Sequence, residues 1–244
     1  MKDYTAAQEL QVQEADMAGT GIRGASITSQ QGLRKALQAL ATFEKARDDL
    51  EQYTTPAEIA AAMLWHAYIR GRIENQSVAD LGAGCGILGI GALLLGAREV
   101  HFIDTDSAAC ALIRQNLCSL HLPVRDAEQE EGRFGQAQVH CSPVLAFRTP
   151  VTTVVQNPPF GTRSTGADVA FLAQACSVAQ QAIYTLHKTT TLPYLRKTIA
   201  GFGWQVEEEQ DLAYPLPAAR DFHERKRHEI AVTWLTLVKD SKSF

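Results

Sequence analysis

No stretch of this chain stays apolar for the roughly 18 residues that a membrane-spanning helix requires, which argues for a soluble protein. The opening MKDYTAAQELQ lacks the basic-then-apolar layout of a secretion signal. Cysteines are few and unpaired in spacing: Cys85, Cys110, Cys118, Cys141 and Cys176 form no metal-ligand pattern, so no metal site is expected. Reduced thiols in the cytoplasm or nucleus, the nucleolus included, are the expectation. An excess of positive charge is missing too. The 23 Lys and Arg against 27 Asp and Glu give a net charge of −4, which argues against broad coating of nucleic acid and confines any such contact to a local basic face. No internal repeat is evident.

What is present fits an ordinary globular α/β chain. Residues 1–27 mix Gly, Ser and Thr without apolar periodicity and read as a flexible extension; residues 28–244 are expected to form a single domain. Leu33, Leu37, Leu40 and Phe43 recur at helical steps between Gln31 and Leu50, and a second, almost wholly apolar helix is expected from Pro56. From residue 77 onward, SVADL, EVHFID, AQVH, TTVVQ and AIYTL read as strands, most of them separated by helical patterns. That alternation predicts a doubly wound, mostly parallel sheet covered on both faces. WQVEEEQDLAYPL and EIAVTWLTLV are expected as an antiparallel pair closing one sheet edge, and residues 125–136 as a polar surface loop.

Two stretches carry chemistry. In VADLGAGCGILG, Gly82, Gly84 and Gly86 lie between a strand and a helix, where missing side chains let the backbone turn tightly toward a ligand. Gly84, Gly86 and Gly89 also satisfy G-x-G-x-x-G, and Asp104, 20 residues beyond Gly84, can accept both hydroxyls of a ribose. This spacing fits a dinucleotide as well as another adenosine cofactor. Asp80 favours the second: a carboxylate there would repel a pyrophosphate but hold a cation, as the ammonium and sulfonium of S-adenosylmethionine require.

The other stretch is VVQNPPFGT, with Asn157 at the carboxyl end of a strand that Pro158 and Pro159 cannot continue. An exocyclic amine such as adenine N6 is a poor nucleophile because its lone pair is delocalised into the ring. Two acceptors on its hydrogens, the Asn157 side-chain carbonyl and the Pro158 main-chain carbonyl, would localise that lone pair, and Phe160 could stack on the base. An amide nitrogen, as in a protein glutamine, would be served by the same groups.

DLGAGCG followed by an acidic residue after the next strand resembles motif I of class I methyltransferases. Together with LEQYTTPAEIAAAML, NPPFGT, GADVAFL, YTLHK and LPAARDFHERK, the chain from about Gln31 to Leu237 resembles the methyltransferase-like protein 5 family, which methylates one small-subunit ribosomal RNA adenine at N6. The resemblance implies that Gln52, Tyr53 and Thr55 close over the cofactor, that Asp80, Gly82, Gly84 and Asp104 hold it, and that Asn157, Pro158, Pro159 and Phe160 hold the adenine. It implies a small zinc-binding activator subunit docked along a sheet edge. Two departures stand out. Where family members have an acidic residue that accepts from the cofactor's adenine, VHCSPV offers Cys141 and Ser142, with Ser142 as the weaker candidate acceptor, and the loop from Arg125 to Gln136 is longer than the family needs.

RDFHERKRH supplies a local basic face in which Phe222, His223 and Lys226, with Arg163 and Lys188, are candidate RNA contacts. His66, His101, His121 and His140 are expected to be structural. Rival readings are a protein glutamine methyltransferase, a nicotinamide-dependent oxidoreductase, which leaves Asn157 to Phe160 unexplained, and an inactive scaffold for RNA or a partner.

Overall fold

The computed structural model describes residues 27–43, 47, 51–124, 135–160, 166–216 and 228–239. Seven strands form one sheet: β1 (Ser77–Leu81), β2 (Glu99–Asp104), β3 (Gln136–Cys141), β4 (Val151–Gln156), β5 (Ala179–Lys188), β6 (Trp204–Leu216) and β7 (His228–Lys239), in the order β3-β2-β1-β4-β5-β7-β6. All pairings from β3 to β5 are parallel, and β7 runs antiparallel to both its neighbours. The expected antiparallel pair is present, but β7 inserts between β5 and β6, so β6 is the edge.

Every residue of β1 and β4 is buried, as parallel strands covered on both faces must be. One face carries Val78, Phe102, Val155, Tyr184 and Trp234; the other carries Leu81, Ile103, Val154, Ile183 and Leu235. Helices α1 (Gln30–Gln38), α2 (Ala57–Ile69), α3 (Ile87–Leu94) and α4 (Ser107–Ser119) supply apolar residues to the first cluster, and α5 (Ala167–Val178) and α6 (Leu192–Gly201) to the second. Helix α3 lies so near β2 that a Cβ at Gly89 would meet the Phe102 ring at 2.3 Å, which gives the third glycine of the motif its physical reason.

Two helices differ from expectation. α1 ends at Gln38, not near Leu50, because the chain turns away to reach the glycine loop: Asn116 accepts from Ala41 N (2.9 Å) and donates to Ala41 O (3.0 Å) and Cys85 O (2.9 Å). α6 lies beyond the sequence expectation, although Leu192, Leu195 and Ile199 are spaced for one buried face and a proline sits in its first turn. The proposed extension up to residue 26, and residues 125–134 of the loop, lie outside the described residues.

Candidate active site

The site forms at the carboxyl ends of β1, β2 and β4, where doubly wound sheets leave a crevice. A cavity of about 480 Å³ opens there. It brings together Gln52, Tyr53, Thr55, Asp80, Gly82, Gly84, Asp104, Asn157 and Pro159 of the expected residues.

The glycine turn is held from both sides. Asp104 accepts from Gly84 N through Oδ2 (2.8 Å) and from Asp106 N through Oδ1 (2.9 Å), leaving further lone pairs on both oxygens for ribose hydroxyls. Gly82 takes a φ of +70°, and a Cβ there would lie 2.8 Å from the Phe171 ring, so a side chain would be strained and crowded at once. Asp80 is 1% exposed and accepts from Gly89 N at 2.8 Å. Burial pushes its carboxyl up to about 7, with the nearby Asp104 charge adding to the rise. A buried carboxylate with one amide partner is an incomplete ion site, and a bound ammonium would complete it.

Residues 51–55 cross the cavity as a strap. Gln52 Nε2 donates to Asp106 Oδ2 at 2.7 Å and its Oε1 accepts from Arg47 N at 3.0 Å, tying the strap to the start of α4. At its far end Thr55 reaches Asn157.

Asn157 has a fixed orientation. Nδ2 donates to Thr55 Oγ1 (3.0 Å) and to the Tyr214 hydroxyl (2.9 Å), which uses both amide hydrogens. The remaining end, Oδ1, is buried and has no hydrogen-bond partner among the described residues. Such an acceptor costs stability unless a ligand donates to it. The preceding Gln156 donates to Thr185 Oγ1 (3.0 Å), which meets His187 Nε2 (2.9 Å) and braces the strand end; burial lowers His187 to about 4, so it stays neutral.

Other expected residues are placed differently. Ser142 donates its main-chain N–H to Asp104 O (2.9 Å), while the cavity wall beyond it is Pro143, Val144 and Leu145. Phe160 is 6% exposed and packs edge-on against Tyr214, ring centroids 5.5 Å apart, so it backs the site instead of offering a stacking face. Pro158 is buried outside the cavity lining. Lys188 ends β5, away from the lining, and Arg163, Phe222, His223 and Lys226 lie outside the described residues. Of the histidines, His66 meets Glu208 at 2.8 Å and His101 meets His140 at 3.1 Å, away from the cavity lining.

Sequence reasoning missed four contributors. Phe43 and Phe171 line the cavity, Tyr214 holds Asn157, and Asn116 ties the Ala41 segment to the turn. Only Asn116 left a signal: an amide within the apolar stripe of Ala109, Ile113 and Leu117.

The sheet order, glycine turn, acidic partner and cavity define a class I S-adenosylmethionine-dependent methyltransferase. Magnesium protoporphyrin IX methyltransferase from Synechocystis, solved with bound cofactor, shares this fold with a TM-score of 0.57 at 13% identity, over 98% of each chain. A family model described as "Conserved hypothetical protein 95" matches residues 58–202. The zebrafish (Danio rerio) rRNA N(6)-adenosine-methyltransferase METTL5 is 37% identical over 83% of this chain and 95% of its own length. A candidate RNA methyltransferase from Pyrococcus horikoshii superposes with a TM-score of 0.75 at 32% identity, covering 87% of this chain and 99% of that one. The chain belongs to the METTL5 family of methyltransferases.

Proposed function

We propose that this protein transfers a methyl group from S-adenosylmethionine to N6 of an adenine in RNA, with small-subunit ribosomal RNA as substrate. The observation that carries the reading is Asn157 Oδ1, a buried acceptor with its amide partner end already tied down, at the wall of the cofactor cavity. The METTL5 relative supplies the substrate class by its name.

When bound, the cofactor supplies an electrophilic methyl on a sulfonium. Asp80 would hold its cationic amino-acid part and Asp104 its ribose, and residues 51–55, which line the same cavity, would shield it from water. Asn157 Oδ1 would accept one amine hydrogen and help to aim the nitrogen lone pair; the Pro158 carbonyl, the acceptor expected for the other hydrogen, belongs to a residue outside the cavity lining. The chemistry the cofactor would supply is displacement at the methyl carbon by the amine nitrogen, with the neutral thioether of the spent cofactor as leaving group, and the nitrogen's proton, made acidic by alkylation, would be lost to water. No strong base is needed; positioning carries the rate.

RNA would approach over the β6–β7 hairpin. β7 pairs with β5 only as far as Lys188↔Val232, while β6 and β7 continue to Leu216↔His228. The hairpin therefore projects past the active end of the sheet, and residues 217–227, with Phe222, His223 and Lys226, join its strands. Lys188, at the end of β5, would extend that face. By family resemblance, a small zinc-binding activator would dock along the β3 edge, the strand into which the 125–134 segment leads.

The test supplies labelled cofactor and purified small-subunit RNA, with and without the activator, and locates label by nucleoside mass spectrometry. Label in N6-methyladenosine is the expected result. Label in glutamine of a ribosomal protein, with none in RNA, would replace the assigned substrate.

A further inference from the structure

The geometry points to Tyr214 as the positioning residue that sets which end of the Asn157 amide faces the target amine. This deepens the functional reading above and rests on it for its catalytic consequence.

An asparagine amide has two ends of nearly equal size and opposite hydrogen-bonding sense. Turned one way it presents an acceptor to an incoming amine; turned the other it presents N–H groups, which repel the amine's own hydrogens. Something must choose, and the neighbours available are few. Thr55 Oγ1 and the Tyr214 hydroxyl each accept one hydrogen from Nδ2, at 3.0 Å and 2.9 Å. Thr55 alone leaves the choice open, since a rotated threonine hydroxyl can donate to an amide oxygen equally well.

Tyr214 is less free. Its hydroxyl reaches the Thr54 main-chain oxygen at a long 3.3 Å and also meets the Thr55 side chain; with the Thr54 carbonyl as its one obligate acceptor, the phenol favours donating there and accepting from Asn157 at 2.9 Å. The ring cannot swing aside: it is 0% exposed and held edge-on by Phe160. The Thr54 carbonyl thus biases the phenol, the phenol biases the amide, and Oδ1 is left as the buried end with no hydrogen-bond partner among the described residues.

Tyr214 also sits in the part of β6 that projects past β5, on the hairpin whose connecting segment is the basic 217–227 stretch.

Tyr214→Phe keeps the ring and its packing while removing the hydroxyl's hydrogen bonds to Asn157, Thr54 and Thr55. We expect kcat for RNA methylation to fall by about 10- to 100-fold, the range for a lost buried polar partner, with cofactor Kd changed by less than about twofold. In an Asn157→Asp background the two carboxylate oxygens are equivalent and orientation ceases to matter. There Tyr214→Phe is expected to cost less than about threefold.

Unchanged kcat in Tyr214→Phe would overturn the inference. So would an equal loss in both backgrounds, which would show simple hairpin docking. Where Asn157→Asp is itself inactive, the first comparison decides. A readout independent of turnover is the Asn157 side-chain amide in an asparagine-labelled sample. Its hydrogens should exchange slowly with water in the wild type and at least tenfold faster in Tyr214→Phe; equal exchange would sink the idea. A wild-type protein that methylates no RNA would defeat the substrate reading, while the exchange measurement would still judge Tyr214.

Discussion

The two walls of the cavity are built in different ways. The β1–β2 wall, with Asp80, the glycine turn and Asp104, is assembled from residues 80–104, and its hydrogen bonds span 9 and 20 residues. The β4 wall is assembled from Thr55, Asn157 and Tyr214, bonded across 102 and 57 residues. The first wall is a local motif that folds on itself; the second exists only once strap, strand and hairpin have met. On the proposed function, cofactor binding would belong to the local wall and amine recognition to the assembled one, and substitutions should separate the two.

Asn157→Ala should show the largest effect. It removes the unpartnered acceptor and frees Thr55 and Tyr214, so methyl transfer should fall by about a thousandfold, the upper range for loss of a positioned polar group in a transition state. Cofactor affinity, measured by calorimetry, should change by less than about threefold. A matching collapse in affinity would show that the two walls are one functional unit.

Legibility followed the same divide. The local wall could be read directly because a turn needs glycine, a helix start needs free amides, and a ribose acceptor falls at a fixed distance along the chain. Five parallel strands and the late antiparallel pair were readable for a similar reason: buried β-formers alternate with helical patterns. At the β4 wall only Asn157 to Phe160 stood out, because two prolines after a strand are costly unless they are useful. Tyr214 has no signature within AYPLP, since its role depends on where the hairpin comes to rest. The same tertiary placement turned Phe160 from an expected stacking ring into a buried support, and set Phe43 on the cavity in place of a helix face.

Asp80→Asn tests the local wall and should affect binding by about 10- to 100-fold, in the range of a lost partner to a buried charge. Its pH behaviour has a definite sign. The carboxyl stands at about 7 in the folded protein against 3.8 when unperturbed. Below the lower value both states are protonated and it contributes nothing. As pH rises from the lower value to the folded one, the unfolded state ionises while the folded state keeps its proton, so stability falls across that window, and above about 7 the full penalty of the buried charge is in place in the cofactor-free protein. A bound cation reverses this by favouring the charged form, so cofactor binding should release a proton and weaken as pH falls from 7 to 5. Asp80→Asn should flatten that dependence and raise the melting temperature of the cofactor-free protein at pH 8, by about 2–4 °C for each kcal/mol recovered. Calorimetry in buffers of different ionisation heat measures the proton. An unchanged pH profile in the variant would transfer the titration to another group.

Gln52→Ala should have the smallest effect, because it touches neither wall and acts only on the strap between them. The side chain joins Asp106 and the Arg47 amide across a partly exposed surface, where each hydrogen bond contributes about 1 kcal/mol. Loosening the strap raises the entropy that cofactor binding must remove, so Kd should weaken by about three- to tenfold while the melting temperature moves by no more than about 2 °C. The informative quantity is the dissociation rate in stopped flow. If the strap is a cover, the loss appears as faster release with association unchanged. If association slows instead, residues 51–55 help to shape the entrance, and Thr55 then couples cofactor entry to the orientation of Asn157.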